Sequence, residues 1–294
     1  MSLDVRDVGR PHRSAPVEIG PRAALVLALA SVGGLMMFLW PLFVSPASEA
    51  VSSGTAHVAD APFLFALILP LLVATVVAEL GDDGFDVKAI AIIGLLAGVG
   101  AVLRPLGAGT AGIEIVFFLL ILAGRVYGPG FGFVLGATTM FSSALLTAGV
   151  GPWLPFQMMA AAWIGLGAGL LPRCRGRREI ALLVAYGIFV AYGFGFLMNM
   201  WFWPYAAGTF TGVGGSDPGL QFVAGDAVVE NLRRFVLFTV ATSTLGWDTG
   251  RAITNSIAII AVGRPVLATL QRARRKAAFD RPTDFAPPQV TPGS

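Results

Sequence analysis

The chain has 294 residues, of which 55% are hydrophobic and only 13% charged, with a net charge of +3. That balance excludes an ordinary soluble domain and a disordered chain, and places the sequence among polytopic membrane proteins. The single cysteine, Cys174, excludes an intramolecular disulfide and any cysteine-built zinc cluster.

Apolar runs predict eight membrane spans, at 22–45, 62–79, 88–104, 112–127, 131–150, 154–171, 180–203 and 235–262. The first run carries a second reading, a cleaved signal, because small residues follow it from Pro46 to Ala50. The run at 112–127 is short and the one at 88–104 marginal, so either is open to tilting or breaking. Basic residues gather on the N-terminal side of this arrangement, in Arg6 to Arg22, Arg125, Arg173 to Arg178 and Arg272 to Lys276. Only Arg104, Arg233 and Arg234 fall on the other side, so both termini are expected in the cytoplasm. Residues 1–21 read as a basic cytoplasmic segment and 271–294 as a basic, then proline-rich, tail. The basic part of that tail is expected to lie against anionic membrane lipid, with no role in nucleic-acid binding.

The segment from Gly124 to Pro172 carries the most information. Gly128, Gly132 and Gly136 share one helical face, as do Gly165 and Gly169, which lets helices approach closely within lipid. Gly149, Gly151, Pro152 and Pro155 end one helix and begin the next, presenting Trp153, Phe156 and Gln157 at a membrane boundary. The connection from Pro204 to Arg234 is glycine-rich at first and helical from about Leu220, and reads as a lid or as a plain surface loop. Aromatic residues, Trp40, Trp153, Trp201 and Trp203 among them, concentrate on the outer side. With Gln157 and Asn199 close to them in sequence, they read either as an interfacial belt or as a pocket for a large, partly apolar ligand.

Charged residues inside spans need partners. Asp248 and Arg251, three apart on the last span, form a candidate intramembrane pair, with Asn255 on the same face. Glu114 opens the fourth span near Arg104, so the two are candidates for a helix-end pair or for ligand contacts. No GxxxxGK[ST] phosphate loop occurs, His12 and His57 form no metal set with acidic residues, and no nucleophile or base constellation marks an enzyme.

The stretches Gly128-Pro129, Gly151-Pro152-Trp153, Pro155-Phe156-Gln157-Met158 and Leu245-Gly246-Trp247-Asp248, with Gly165 and Gly169, resemble the substrate-binding (S) components of energy-coupling factor (ECF) vitamin transporters, nearest to the cobalamin-type subgroup. The resemblance implies an all-α membrane protein in which 88–270 forms a six-helix core and 22–87 an additional N-terminal transmembrane hairpin. It implies a non-enzymatic subunit of the bacterial cytoplasmic membrane, without a cofactor, that captures a vitamin from outside. Its partners would be a membrane coupling subunit and two ATP-binding-cassette ATPases. Trp153, Gln157, Asn199, Trp203, Arg104 and Glu114 become candidate substrate contacts. Ala97 and Ala101 match the family's pair of docking alanines, although Ala24 with Ala28 and Ala74 with Ala78 share the spacing. Another vitamin or a modified nucleobase is the alternative ligand, and a membrane scaffold without a ligand the alternative class.

Overall fold

The computed structural model describes residues 21–39, 42, 87–107, 112–151, 153–203, 218–223 and 225–278. The expected span at 62–79, residues 1–20 and 279–294 of the terminal segments, the signal-like residues 46–50, Trp40 and the glycine-rich part of the 204–234 connection lie outside them, whereas the basic start of the expected tail, 271–278, continues the last helix.

Among the described residues the chain is helical and has no strand. Helix α1 is Pro21–Leu39, α2 Val87–Leu103, α3 Val116–Tyr127, α4 Pro129–Leu146, α5 Leu154–Leu170, α6 Arg177–Phe202, α7 Val228–Thr239 and α8 Thr249–Ala278. The π-helical stretch Val240–Asp248 joins α7 to α8 without a break. Pro129–Leu146, Arg177–Phe202 and the continuous Val228–Lys276 are long and apolar enough to cross a membrane. The protein is therefore a multi-pass, all-α membrane protein.

The twelve residues of α3 span only about 18 Å at 1.5 Å per residue, too little to cross a bilayer unaided. Eleven of the twelve are buried, and α3 touches α2, α4, α5, α6 and α8, so it is the axis of the bundle. A helix apolar on every side belongs in such a position.

Around that axis, α4 and α5 make the most extensive contact in the molecule. The cause is glycine. A Cβ on Gly132 would overlap the carbonyl oxygen of Gly165, one on Gly165 would overlap that of Gly132, and one on Gly136 would overlap that of Ala161. Gly169 lies equally close to the backbone of Pro129, where α4 begins. Backbone against backbone at three successive places is the small-residue packing that holds helices together where water supplies no hydrophobic drive. Gly128 sits between α3 and α4 at φ 105, a conformation that only glycine adopts freely.

The last helix begins earlier and ends later than the apolar run 235–262 suggests. Its N-terminal section, α7, is strongly amphipathic and packs on the end of α6 through Phe235 and Phe238. Its C-terminal end is tied to α3, where the Tyr127 hydroxyl donates to the Leu270 carbonyl at 3.3 Å and Arg274 donates to that of Val126 at 2.7 Å.

The glycine contacts generate a contrast. Gly165→Leu should abolish recovery of monodisperse protein from membranes, because overpacking a tight contact costs at least ~1–3 kcal/mol. Gly98→Leu, where a side chain meets nothing within 4 Å, should leave that recovery unchanged. Size-exclusion chromatography of fluorescently tagged variants measures both.

Candidate functional site

The ends of α2, α4 and α6 and the starts of α3, α5 and α7 lie at one end of the bundle. At that end Arg104, just past α2, donates to the Gln157 Oε1 at 2.7 Å and to the Ser143 hydroxyl at 3.4 Å. Gln157 sits in the first turn of α5 and Ser143 in the last turn of α4, so one guanidinium joins three helix ends. One turn deeper on α4, the Thr139 hydroxyl is fully buried, has no hydrogen-bond partner, and faces Gly100 of α2. A partnerless buried hydroxyl is costly, and such atoms mark a place where water or a ligand group is due.

Trp153 stands beside this cluster. Its ring folds back over Gly151, its indole nitrogen donates to the Gly149 carbonyl at 3.3 Å, and 42% of it stays exposed. Behind it, Phe156 packs on Phe38 and Trp201 with ring centroids 5.1 and 5.0 Å apart. A charged group, an amide and a hydroxyl therefore sit against a wall of rings, a combination suited to a ligand with an apolar body and polar edges.

A second polar group lies deeper in the bundle. Arg251 pairs with Glu114 and also with Asp248, the latter at 2.8 Å, while Ser243 donates to the second oxygen of Asp248 at 2.9 Å. Ser243 and Asp248, five residues apart, meet across one turn of the wider π helix. Gly195 of α6 makes room for the Asp248 carboxylate, and the Arg251 guanidinium lies 5.6 and 5.0 Å from the Phe117 and Phe194 ring centroids. Asn255 donates to the Glu114 backbone carbonyl at 3.0 Å. These contacts tie the entry to α3, the middle of α6 and the start of α8 into one network in which every charge is paired, although the buried Asn255 Oδ1 has no hydrogen-bond partner.

The third group is a cap. Trp203 is 1% exposed, donates to the Leu220 carbonyl at 2.8 Å, and meets the rings of Phe222 and Phe235 at 5.4 Å each. Asn231 of α7 both accepts from and donates to the Val223 backbone, at 3.0 and 2.8 Å. The section from Pro218 to Thr239 is thus fastened onto the end of α6. Beneath it, the Asn199 side-chain nitrogen is buried with no hydrogen-bond partner.

Of the six candidate contacts, the structure brings Arg104 and Gln157 together with Trp153 alongside. Glu114 turns to Arg251, and Trp203 is enclosed in the cap, its indole donor already bonded. Asn199 keeps an unused donor. Ala97 and Ala101 are 4% and 0% exposed, so they face the bundle interior and present no docking strip in this structure. The open side of α2 is instead Gly94, Leu95, Gly98, Val99 and Val102, which line an apolar groove of about 490 Å³. Sequence reasoning missed Ser143, Thr139 and Ser243. The first two are four apart on α4, a polar stripe in an otherwise apolar helix, and that spacing was the available signal.

The network predicts a specific dependence. Arg251→Ala strands the buried Asp248 carboxylate and the partly buried one of Glu114, and should destabilise the protein by about 3–5 kcal/mol, read as a fall in thermal midpoint in detergent. Adding Asp248→Asn and Glu114→Gln to that variant should recover part of the loss.

Residues 88–246, more than half of the chain, match the family described as ECF transporter, substrate-specific component. No curated protein and no solved structure matches the chain. The matched stretch runs from the start of α2 through the cap into the π-helical segment, and so contains the Arg104–Gln157 cluster and the whole α4–α5 glycine contact. With its all-helical membrane fold, the protein belongs to the substrate-specific components of ECF transporters: it is a substrate-binding transporter subunit of a non-enzymatic family that docks on a membrane coupling subunit and its ATPase module.

Proposed function

We propose that this S component captures cobalamin or a related corrinoid from outside a bacterial cytoplasmic membrane and surrenders it inward after docking. The ligand class is supported by the resemblance to S components that Gly151, Trp153 and Pro155 to Met158 help to carry, which is nearest to the cobalamin-type subgroup. The single observation that carries the place of binding is the Arg104–Gln157 bond beside the exposed ring of Trp153. A corrinoid is a broad, largely apolar ring fringed with amides. Arg104, Gln157 and Ser143 supply donors and acceptors for such a fringe, Trp153 supplies a face for the ring, and the free nitrogen of Asn199 supplies a further donor. Arg104 and Gln157 hold each other until a ligand amide takes the place of one partner. The cap from Pro218 to Thr239 closes over that end of the bundle, and both termini lie on the cytoplasmic side.

The coupling subunit docks on the open face of α2. Gly94 and Gly98 have no neighbour within 4 Å of an added Cβ, and Leu95, Val99 and Val102 flank them, so a partner helix can approach and slide along this groove. Docking there replaces the expected role of Ala97 and Ala101, whose side chains pack inside the bundle.

Two outcomes follow. In an uptake-deficient strain supplied with a coupling module, the wild-type chain restores growth on limiting cobalamin. Replacing both Arg104 and Gln157 by alanine should raise the cobalamin concentration needed for half-maximal growth by about tenfold or more, the loss of roughly two hydrogen bonds, one of them charged. Gly98→Trp should abolish growth while leaving cobalamin binding by the purified protein intact. Rescue by a different vitamin or a nucleobase alone would transfer the site to that ligand. Growth unaffected by the Arg104 and Gln157 changes would return the chain to the scaffold reading.

A further inference from the structure

The end of the bundle opposite the cap is organised around the turn between α5 and α6. Arg125, near the end of α3, has a side chain only 8% exposed and pairs with Glu179 at 2.9 Å. It also donates to the Leu171 carbonyl at 2.9 Å and to that of Cys174 at 3.4 Å, so the turn is clamped in one conformation. Arg173 sits within that clamped turn and is exposed, followed by the exposed Arg175, Arg177 and Arg178. From α8, Arg274 is anchored to the neighbouring Val126 carbonyl at 2.7 Å and comes within repulsive reach of Arg173. Arg272, Arg275 and Lys276 are exposed on the same end of α8.

The exposed arginines gathered in one clamped turn, Arg173, Arg175, Arg177 and Arg178, call for a counter-charge. The five acidic residues among the described ones are all engaged: Glu114 and Asp248 with Arg251, Glu179 with Arg125, and Asp226 and Glu230 with Arg234. None of these carboxylates is left to neutralise the exposed run from Arg173 to Arg178. The height of the cluster identifies what can. Leu170, the last residue of α5 and three before Arg173, is 66% exposed, so the apolar flank of α5 ends where the arginines begin. That step from exposed leucine to exposed arginine is the level of a phospholipid headgroup.

We propose that the α5–α6 turn and the end of α8 form a binding site for one anionic phospholipid. Its phosphate lies between Arg173 and the Arg272–Lys276 face, and its acyl chains lie along the flank that begins at Leu170. Guanidinium forks suit phosphate oxygens, and two such groups from separate elements define a site where a mobile basic tail would not. The bound lipid would bridge α8 to the α5–α6 turn. This proposal is independent of the identity of the transported substrate.

Native mass spectrometry of the full chain from nanodiscs of equal phosphatidylcholine and phosphatidylglycerol tests it. The wild-type protein is expected to retain phosphatidylglycerol about tenfold over phosphatidylcholine, and Arg173→Glu combined with Arg175→Glu is expected to erase that preference. Arg173→Gln, which keeps a polar side chain of moderate length, should reduce it as well, so misfolding caused by charge reversal does not decide the result. Arg233→Ala, at the capped end, should retain the lipid like the wild type. Equal retention of both lipids by the wild type, or unchanged preference in the Arg173 variants, overturns the proposal. So does displacement of the lipid by millimolar inorganic phosphate, which would make the site one for a soluble anion. Loss of coupling-module binding in the Arg173 variants with lipid preference intact would make it a protein contact, and also overturns it.

Discussion

Everything else in this bundle rests on α4 and α5 meeting backbone to backbone. Gly132, Gly136 and Gly165 remove every side chain that would separate the two helices, and Gly169 carries the contact to the start of α4. Apolar side chains gain nothing by leaving lipid for protein, so close approach, with its dense dispersion contacts, is the force available to a membrane helix pair. Because α4 and α5 are locked at that distance, their ends at the capped side stay in register. Ser143 and Gln157 are then brought within reach of one arginine from α2.

The second constraint is electrostatic. Arg251 and Asp248 come from buried positions where a lone charge would be expelled, and they are tolerated because they pair with each other and with Glu114. The π-helical stretch makes this possible, since its wider turn brings Ser243 onto Asp248 and carries the Trp247 backbone against Gly112, whose φ of 80 admits little but glycine. Wider helical turns in membrane proteins recur near functional positions. Here the irregularity separates a lipid-crossing section from α7, which lies on the cap and holds it with Asn231.

Much of the fold was legible because hydropathy reports membrane helices directly: the runs at 88–104, 112–127, 131–150, 154–171 and 180–203 match helices to within a few positions, and the run at 22–45 matches at its start. Gly132, Gly136, Gly165 and Gly169 were equally readable, since a glycine every fourth residue has few uses apart from close packing. The rotation of each helix was not legible. In α2, the residues facing lipid and those facing protein are alike apolar, so nothing in composition says that Ala97 points inward and Gly98 outward. The pairing of Glu114 with Arg251 was hidden for a different reason. The partners are separated by 137 residues, and the nearer candidates, Arg104 for Glu114 and Asp248 for Arg251, offered a complete local account. Trp203 misled in the same way, because an interfacial tryptophan and one that bolts down a cap have the same sequence surroundings.

As a proposed passive receptor for a corrinoid, this protein would draw its energy from the coupling subunit and the ATPases. Corrinoids absorb visible light, so the claim has a direct optical test. The purified chain, incubated with cobalamin and passed through a gel-filtration column, should elute with an equimolar corrinoid spectrum. A colourless protein peak, with all cobalamin in the small-molecule fraction, would contradict the account.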